Sequence, residues 1–278
     1  MQGTLNPWVL GGGQVTAPQP GSWELAIPAV SHGYANAQID DHRSRTRSDF
    51  LWKPPVRMSL RARTTLSEPQ GTLGFGFWND PFTLSIGQGG AARRLPASPC
   101  TAWFFYGSPP NDLRLTEALP GYGCKASVLK SPPVPGLLLA PAALAAIALA
   151  QIPGVRRGIL KMALGAVQAR EQLVEAELTE WHAYELVWTK SAVVFSLDGE
   201  PIMTSDVTPG RPLGFVAWID NQYAVASPEG GFRFGTIATE SPQGLLLEDL
   251  EIEHLDAPED SLLSATDRFQ IPGKREAT

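Results

Sequence analysis

The sequence predicts an all-β protein in which two antiparallel sheets pack as a sandwich. The clearest evidence lies between Trp181 and Asn221, where three short runs alternate apolar and polar residues. The breakers Asp198-Gly199 and Pro209-Gly210 separate these runs, and such punctuation is typical of antiparallel strands. The 27 Gly and 25 Pro among 278 residues also suit a fold with many turns.

Other parts of the chain have the same period of two. Tyr34–Asp40 and Val56–Arg63 each alternate apolar with polar residues, as a half-buried strand requires. In Gly71–Pro81, Phe75 and Phe77 fall on one face and Trp78 on the other. The remaining predicted strands are Thr101–Tyr106, Tyr184–Thr189, Ala192–Leu197, Leu213–Asp220 and Leu245–His254.

One segment departs from this pattern. Leu137–Ala150 is almost wholly Leu and Ala, which favour helix, and Gly158–Leu178 reads as a second helix after the break at Ile152-Pro153-Gly154. We therefore predict a helical hairpin at about 136–178, inserted in a single domain spanning 1–255, with a mobile tail at 256–278. The hairpin could pack on the sandwich, cover a ligand cleft as a lid, or contact a membrane through 136–150. The first arm is too short for a membrane span of about 20 apolar residues, and packing on the sandwich is favoured.

Charge and cysteine usage limit the partners and the compartment. The net charge of −6 and the pI near 5.3 argue against a non-specific grip on nucleic acid or anionic lipid. Residues 1–13 lack the features of a secretory leader, so we expect a cytoplasmic protein with Cys100 and Cys124 as free thiols. A disulfide between neighbouring strands is the alternative. No metal site and no cofactor are predicted, because the four His are scattered. A structural calcium ion is the alternative, although no acidic loop has the spacing that would support it.

Three motifs together carry a resemblance to a known family: Trp181-His182-x-Tyr184-Glu185-x-x-Trp188-Thr189, Phe195-x-Leu197-Asp198-Gly199-Glu200-Pro201 and Trp218-Ile219-Asp220-Asn221. In these motifs the chain resembles the concanavalin A-like lectin/glucanase superfamily. Within that superfamily it is most similar to glycoside hydrolase family 16, the laminarinase-type glucanases. The resemblance covers about two thirds of the chain and implies a jelly roll whose concave face binds ligands.

The chain departs from that family at the catalytic strand. Family 16 enzymes carry a Glu-x-Asp-x-Glu or Glu-x-Asp-x-x-Glu strand after a Trp-rich strand, which Gly71–Asp80 resembles. Retaining hydrolysis needs two carboxyl groups about 5–5.5 Å apart. The corresponding stretch here, Leu95–Leu113, holds no acidic residue before Asp112. Asp40, Asp80 and Asp220 remain as catalytic candidates, whereas Asp249, Glu251 and Glu253 are interpreted as the solvated face of an outer strand.

The ligand site is predicted on the sheet face turned away from the core. If Phe75, Phe77 and Phe215 face the core, then Trp78 and Trp218 must face the other way. Aromatic rings beside carboxylates and amides suit a sugar or another mixed polar and apolar ligand, while core packing is the alternative for each Trp alone. The predicted ligand-binding residues are Gln38, Arg61, Trp78, Asn79, Trp103, Phe105, Trp218, Asp220 and Asn221.

Three functional hypotheses follow. The favoured one is a glucanase-like sandwich that binds a carbohydrate or a similar ligand in its concave cleft, without ordinary retaining hydrolysis. The second is a non-hydrolytic enzyme, an isomerase or cyclase, acting on a hydrophobic small molecule beneath the helical hairpin. The third is a module that contacts a membrane or a protein partner through the Leu/Ala segment.

Overall fold

The computed structural model describes residues 4–81, 94–95, 97–114, 119–134, 165, 167–227 and 231–256. These residues form two seven-stranded sheets, a three-stranded sheet and a short 3-10 helix at Arg47–Asp49. All strand pairs of the two large sheets are antiparallel. The predicted all-β class and the pair of antiparallel sheets are therefore confirmed.

The first sheet contains the strands that bear most of the predicted site. In spatial order it consists of β1 (Asn6–Leu10), β4 (Asn36–Asp40), β14 (Gly214–Asp220), β6 (Thr72–Trp78), β7 (Cys100–Gly107), β9 (Gly123–Lys130) and β10 (Gln168–Leu173). The central strands β4 and β14 are buried along their whole length, so both faces of the sheet are covered there.

The second sheet closes the other side of the core. In spatial order it consists of β13 (Glu200–Ser205), β12 (Val193–Leu197), β11 (His182–Trp188), β5 (Val56–Thr64), β17 (Gln243–His254), β3 (Trp23–Ile27) and β2 (Gln14–Thr16). The small third sheet contains β16 (Gly231–Thr236), β15 (Gln222–Ser227) and β8 (Asp112–Leu113), with β15 and β8 parallel.

The core lies between the two large sheets and follows the period of two. In β5 the burial alternates along the strand, with Val56, Met58, Leu60 and Ala62 facing the core. Facing side chains from the first sheet include Phe75, Phe77, Phe104, Phe215 and Ile219, and Trp188 is fully buried among them. The alternation read from the sequence therefore places these residues correctly.

The predicted breaker at Asp198-Gly199 forms the tight turn between β12 and β13. Both residues have positive φ, 51° and 86°, which is the conformation that a two-residue type I′ hairpin requires. The side chain of Asp198 also caps the start of β11, because its Oδ1 accepts the main-chain N–H of Ala183 at 2.8 Å.

The predicted helical hairpin needs correction. Gln168–Leu173 is not helical but forms β10, the edge strand that pairs with β9. Its Gln, Ala, Glu and Leu residues favour helix, but main-chain pairing with β9 overrides that weak local preference. The first arm, Leu137–Ala150, lies outside the described residues, as does the predicted tail from residue 257 onward.

Both cysteines are free thiols, as predicted. They do lie on the neighbouring strands β7 and β9, but Cys100 pairs with Lys130 and Cys124 pairs with Tyr106. Six residues of strand therefore separate them, roughly 20 Å at ~3.4 Å per residue, which is beyond the reach of a disulfide. No helix formed by the described residues is long and apolar enough to cross a membrane.

Candidate functional site

The candidate site is the outer face of the first sheet, meaning the face turned away from the core. Its centre is an aromatic cluster formed by Trp78, Trp103, Phe105 and Trp218. The Trp103 ring stands 5.2 Å from Trp218, 5.7 Å from Phe105 and 6.1 Å from Trp78, between ring centroids. Trp218 is 8% exposed, whereas the other three rings are half-buried and partly reach solvent.

Strand register explains why four rings meet. Trp218 lies opposite Gly74, which lies opposite Phe105, and Trp103 lies opposite Gly76. A Cβ on Gly74 would come within 2.8 Å of the Trp218 ring, and one on Gly76 would meet the Cα and Cβ of Trp103 at 2.6 Å. The two glycines of β6 therefore leave room for the chain's own rings, which lie over the strand.

Asp220 closes one end of the cluster. Its carboxylate accepts hydrogen bonds from the Thr72 hydroxyl at 2.7 Å, the Tyr34 hydroxyl at 3.3 Å and the main-chain N–H of Gln222 at 3.1 Å. Thr72 in turn accepts the indole N–H of Trp218 at 3.0 Å. Burial raises the pKa of Asp220 to about 6, although these hydrogen bonds act in the opposite direction.

His42 holds Trp78 in place from the side. The indole N–H of Trp78 can only donate, so His42 Nε2 accepts it at 3.1 Å. Nδ1 must then carry the proton of the neutral ring, and it donates to the Phe215 carbonyl at 3.1 Å. Burial also lowers the pKa of His42, which agrees with a neutral ring. His42 is therefore a buried positioning group.

Several polar side chains border the aromatic cluster on the side of β4 and β1. Gln38 donates its amide N–H to Asp40 at 2.8 Å, and Asp40 also accepts the main-chain N–H of Arg43 at 2.9 Å. The Arg43 guanidinium lies 3.7 Å from the centre of the Trp8 ring, a cation–π contact. Asp40 is fully buried and Gln38 is 7% exposed.

A buried ion pair borders the aromatic cluster on its other side, on β9 and β10. Lys125 Nζ lies 3.1 Å from the carboxylate of Glu171, and their side chains are 3% and 1% exposed. Lys125 is in register with Phe105, and Glu171 is in register with Ser127 beside Trp103. Charged side chains are seldom so buried unless they are paired, as these are.

The carboxylates of the outer face are too far apart to form a hydrolytic pair. Asp40 pairs with Val216 and Asp220 pairs with Asn36, so four residues of strand, roughly 14 Å, separate them. Glu171 lies five strands from Asp40, roughly 24 Å. Retaining and inverting glycosidases need about 5–5.5 Å and about 6.5–9.5 Å.

Asp80, the third catalytic candidate, lies beyond the end of β6. Its carboxylate pairs with Arg94 at 3.3 Å, and its main-chain carbonyl accepts a hydrogen bond from Arg47 at 2.5 Å. Arg94 also donates to the carbonyls of His42 and Arg43, at 3.2 Å each. Asp80 is therefore part of a network that ties two loops together.

Three of the predicted ligand-binding residues lie apart from the cluster or use their polar atoms internally. Arg61 belongs to β5 in the second sheet, where it pairs with Glu248 at 3.2 Å and faces Trp181. Asn79 is fully buried and bonds the Cys100 N–H and the Ser98 carbonyl, at 2.9 Å each. Asn221, also fully buried, bonds Ala35, Gly33 and Ile237. The structure groups the other six: Gln38, Trp78, Trp103, Phe105, Trp218 and Asp220.

Sequence reasoning missed Thr72, Tyr34, His42 and the Lys125–Glu171 pair. Thr72 could have been found, because it stands six residues before Trp78 and so shares its face in an extended strand. The other residues reach the site through long-range pairing, and nothing local in the sequence indicates that. Among the described residues, no three His, Cys, Asp or Glu side chains are grouped so that they could hold a metal ion.

No protein-family model and no curated protein matches the chain. Among solved structures, it is similar to an endo-β-1,4-glucuronan lyase from the fungus Trichoderma reesei, at 9% identity, covering 89% of this chain and 90% of that chain, with TM-score 0.44. A legume lectin-like domain from Entamoeba histolytica gives 10% identity, 90% coverage of each chain and TM-score 0.44. A pseudo β-1,3-glucanase of Mycobacterium tuberculosis gives 13% identity, coverage of 84% and 75%, and TM-score 0.42. Likenesses at this level assign neither an activity nor a ligand to this chain.

Proposed function

We propose that this protein binds a carbohydrate on the outer face of its first sheet, over the aromatic cluster, and does not hydrolyse it by the retaining mechanism. The observation that carries the proposal is the contact of four aromatic rings on that face, three of them half-buried. The closer assignment to a concanavalin A-like jelly roll of glycoside hydrolase family 16 stays a prediction.

The chemistry of the face suits a sugar. The face of an aromatic ring carries partial negative charge, so it attracts the C–H bonds on the apolar side of a pyranose. Polar groups then fix the orientation of the hydroxyl groups, which lie at the edge of the sugar ring. Gln38 borders the cluster on one side and Lys125 on another, and each has further hydrogen-bonding sites that a sugar would share with its internal partner, Asp40 or Glu171.

The outward positions of β7 argue against hydrolysis. They are occupied by Thr101, Trp103 and Phe105, where the resemblance to family 16 leads one to expect carboxylates. Asp40 and Asp220 lie roughly 14 Å apart, and the carboxylates of Asp40, Asp80 and Asp220 are each bonded to other groups of the chain. The proposed protein is therefore a binder, with rings where a glucanase would carry its catalytic pair.

The alternative of an isomerase or cyclase depended on a helical lid. Because Gln168–Leu173 is a strand, the predicted second arm cannot serve as that lid. The first arm and the proposed membrane contact at 136–150 lie outside the described residues. Nothing in the described structure favours these alternatives over carbohydrate binding.

Titration of tryptophan fluorescence with β-glucan oligomers tests the proposal. The fluorescence of the wild type should change on titration and reach saturation. Trp103→Ala should bind at least about tenfold more weakly, because tenfold corresponds to ~1.4 kcal/mol, a modest loss for the removal of a central ring. Trp181→Ala is the matched control, because Trp181 faces Arg61 and Arg63 on the second sheet. Absence of any response, or equal affinity for both variants, would overturn the proposal.

A further inference from the structure

A cavity lies away from the outer face, at the margin of the core. Its volume is about 180 Å³, and the residues around it include Trp23, Asp41, Trp52, Leu250 and Ile252. Trp23, Leu250 and Ile252 are half-buried side chains packed against the core, so the cavity can be reached from solvent. It is therefore a pocket with two indoles, aliphatic walls and one acidic wall.

The acidic wall is held rigidly. Asp41 Oδ1 accepts the main-chain N–H of Phe215 at 2.9 Å, and Oδ2 accepts the indole N–H of Trp52 at 2.5 Å. Asp41 is only 2% exposed. Among the described residues, no lysine or arginine side chain comes within ion-pair distance of its carboxylate, and the nearby His42 uses its Nδ1 proton on Phe215.

The other charged groups around Asp41 do not neutralise it locally. The negative charge of Asp40 raises the pKa of Asp41 and the positive charge of Arg45 lowers it, but the Arg45 guanidinium bonds the main-chain carbonyl of Asp41, at 3.1 Å, and not its carboxylate. On the far side, the ring of His254 lies 5.4 Å from that of Trp52. A carboxylate with two neutral donors and no bonded cation is a favourable place for a cationic ligand.

We propose that this cavity is a second binding site, for a small primary amine attached to an aromatic ring. The protonated amine pairs with the Asp41 carboxylate, while the ring fills the apolar space beside Trp52 and Ile252. The pocket is large enough, because a cavity of about 150 Å³ in another protein binds benzene. The indoles add cation–π attraction for an ammonium group, which a neutral ligand does not gain.

Calorimetric titration with benzylamine, and with benzyl alcohol as its neutral analogue, tests the site. We expect benzylamine to bind at least about tenfold more tightly than the alcohol at pH 7.5. Ile252→Phe should abolish this binding, because the larger side chain fills the cavity and leaves Asp41 intact. Trp103→Ala should leave it unchanged, since that ring belongs to the outer face. Equal affinity for the alcohol, no binding of either compound, or full binding by Ile252→Phe would each overturn the inference.

The pH profile supplies a second readout. Burial raises the pKa of Asp41 to about 6, so acidification to pH 5 should protonate most of the carboxyl and weaken benzylamine binding about tenfold. Asp41→Asn is compared with the wild type across the same range, so that effects of pH on other groups are common to both proteins. A folded Asp41→Asn protein should bind the amine weakly at every pH, and a wild-type profile retained in Asp41→Asn would contradict the proposed role.

Discussion

Asp220 illustrates how burial and hydrogen bonding compete at a single residue. Three donors stabilise its charged form, yet the loss of solvent dominates and the pKa rises to about 6. The folded protein therefore holds a proton on Asp220 more tightly than the unfolded chain does. We therefore expect part of the protein's stability to depend on pH in a range where carboxyl groups of ordinary pKa do not titrate.

We predict that Asp220→Asn removes a gain in stability that the wild type shows on acidification. A folded pKa above the unfolded value means that the stability contribution increases as pH falls from about 7 towards 4. A change from 3.8 to about 6 corresponds to roughly 3 kcal/mol over the full range. Urea unfolding at pH 7.5, 6.5, 5.5 and 5 measures the difference between the two proteins.

Other groups titrate in the same range, so the comparison with the variant is essential. The raised pKa of Asp41 increases stability on acidification, as that of Asp220 does. The lowered pKa of the buried His42 has the opposite effect, because stability is lost as the pH falls below the ordinary pKa of histidine. These contributions are common to wild type and Asp220→Asn and cancel in the difference. A difference that does not vary between pH 7.5 and 5 would contradict the assignment to Asp220.

The sequence could not separate binding residues from structural ones at this scale. Trp103 and Asn79 were both predicted for the ligand site, yet Trp103 lies at the centre of the aromatic cluster whereas Asn79 bonds two main-chain groups. The period of two assigns a side chain to a face, but it does not say which partner occupies its polar atoms. Asn221 was also predicted for the ligand site, and like Asn79 it bonds main-chain groups instead.

At the scale of the element, β6 determines whether the aromatic cluster can form. A Cβ on Gly74 would approach the Phe104 carbonyl oxygen to 2.4 Å and the Trp218 ring to 2.8 Å. The structure identifies the approaching groups as rings and main-chain atoms of the neighbouring strands.

We predict that Gly74→Ala destabilises the fold by about 1–3 kcal/mol, because the methyl group overpacks β6 against β7 and β14. Thermal unfolding followed by near-UV circular dichroism measures both the loss and the displacement of the rings. Gly210→Ala is the matched control, since its Cβ would meet only the end of Lys130 at 3.8 Å. Equal melting temperatures for the two variants would contradict the packing described for β6.

Strands could be predicted where side chains of similar polarity recur at every second residue. The predicted strands Val56–Arg63 and Thr101–Tyr106 correspond to β5 and β7, in which Met58 and Phe104 face the core. β10 was missed, because Gln168–Leu173 combines helix-favouring residues with an exposed edge position. Its strand conformation comes from pairing with β9, a long-range contact that no local pattern reports.

For the whole molecule, we propose two separate places for ligands on the two large sheets. The outer face of the first sheet carries the aromatic cluster, and the margin of the core carries the cavity beside Asp41. Because the two sites share no lining residue, substitutions at one can serve as controls for the other. The sequence predicted the sandwich and the general face of the first site, but it gave no sign of the second.

We predict that the protein releases no new reducing ends from β-glucan oligomers. The described carboxylates of the outer face stand roughly 14 Å or more apart, beyond the spacing of either hydrolytic mechanism. Prolonged incubation with oligomers, followed by a reducing-end assay and mass spectrometry, measures this. Cleavage that is lost in Asp220→Asn would show that the site is hydrolytic after all.

The most direct test of the central claim is a map of indole N–H signals by nitrogen–proton NMR, assigned with single Trp→Phe variants. On addition of a β-glucan oligomer, we predict that the signals of Trp78, Trp103 and Trp218 shift with a common affinity. The signals of Trp188 in the core and of Trp181, which lies beside Arg61 of the second sheet, should stay in place. If the outer-face signals stay fixed, or if only Trp23 and Trp52 respond, the outer face is not the carbohydrate site.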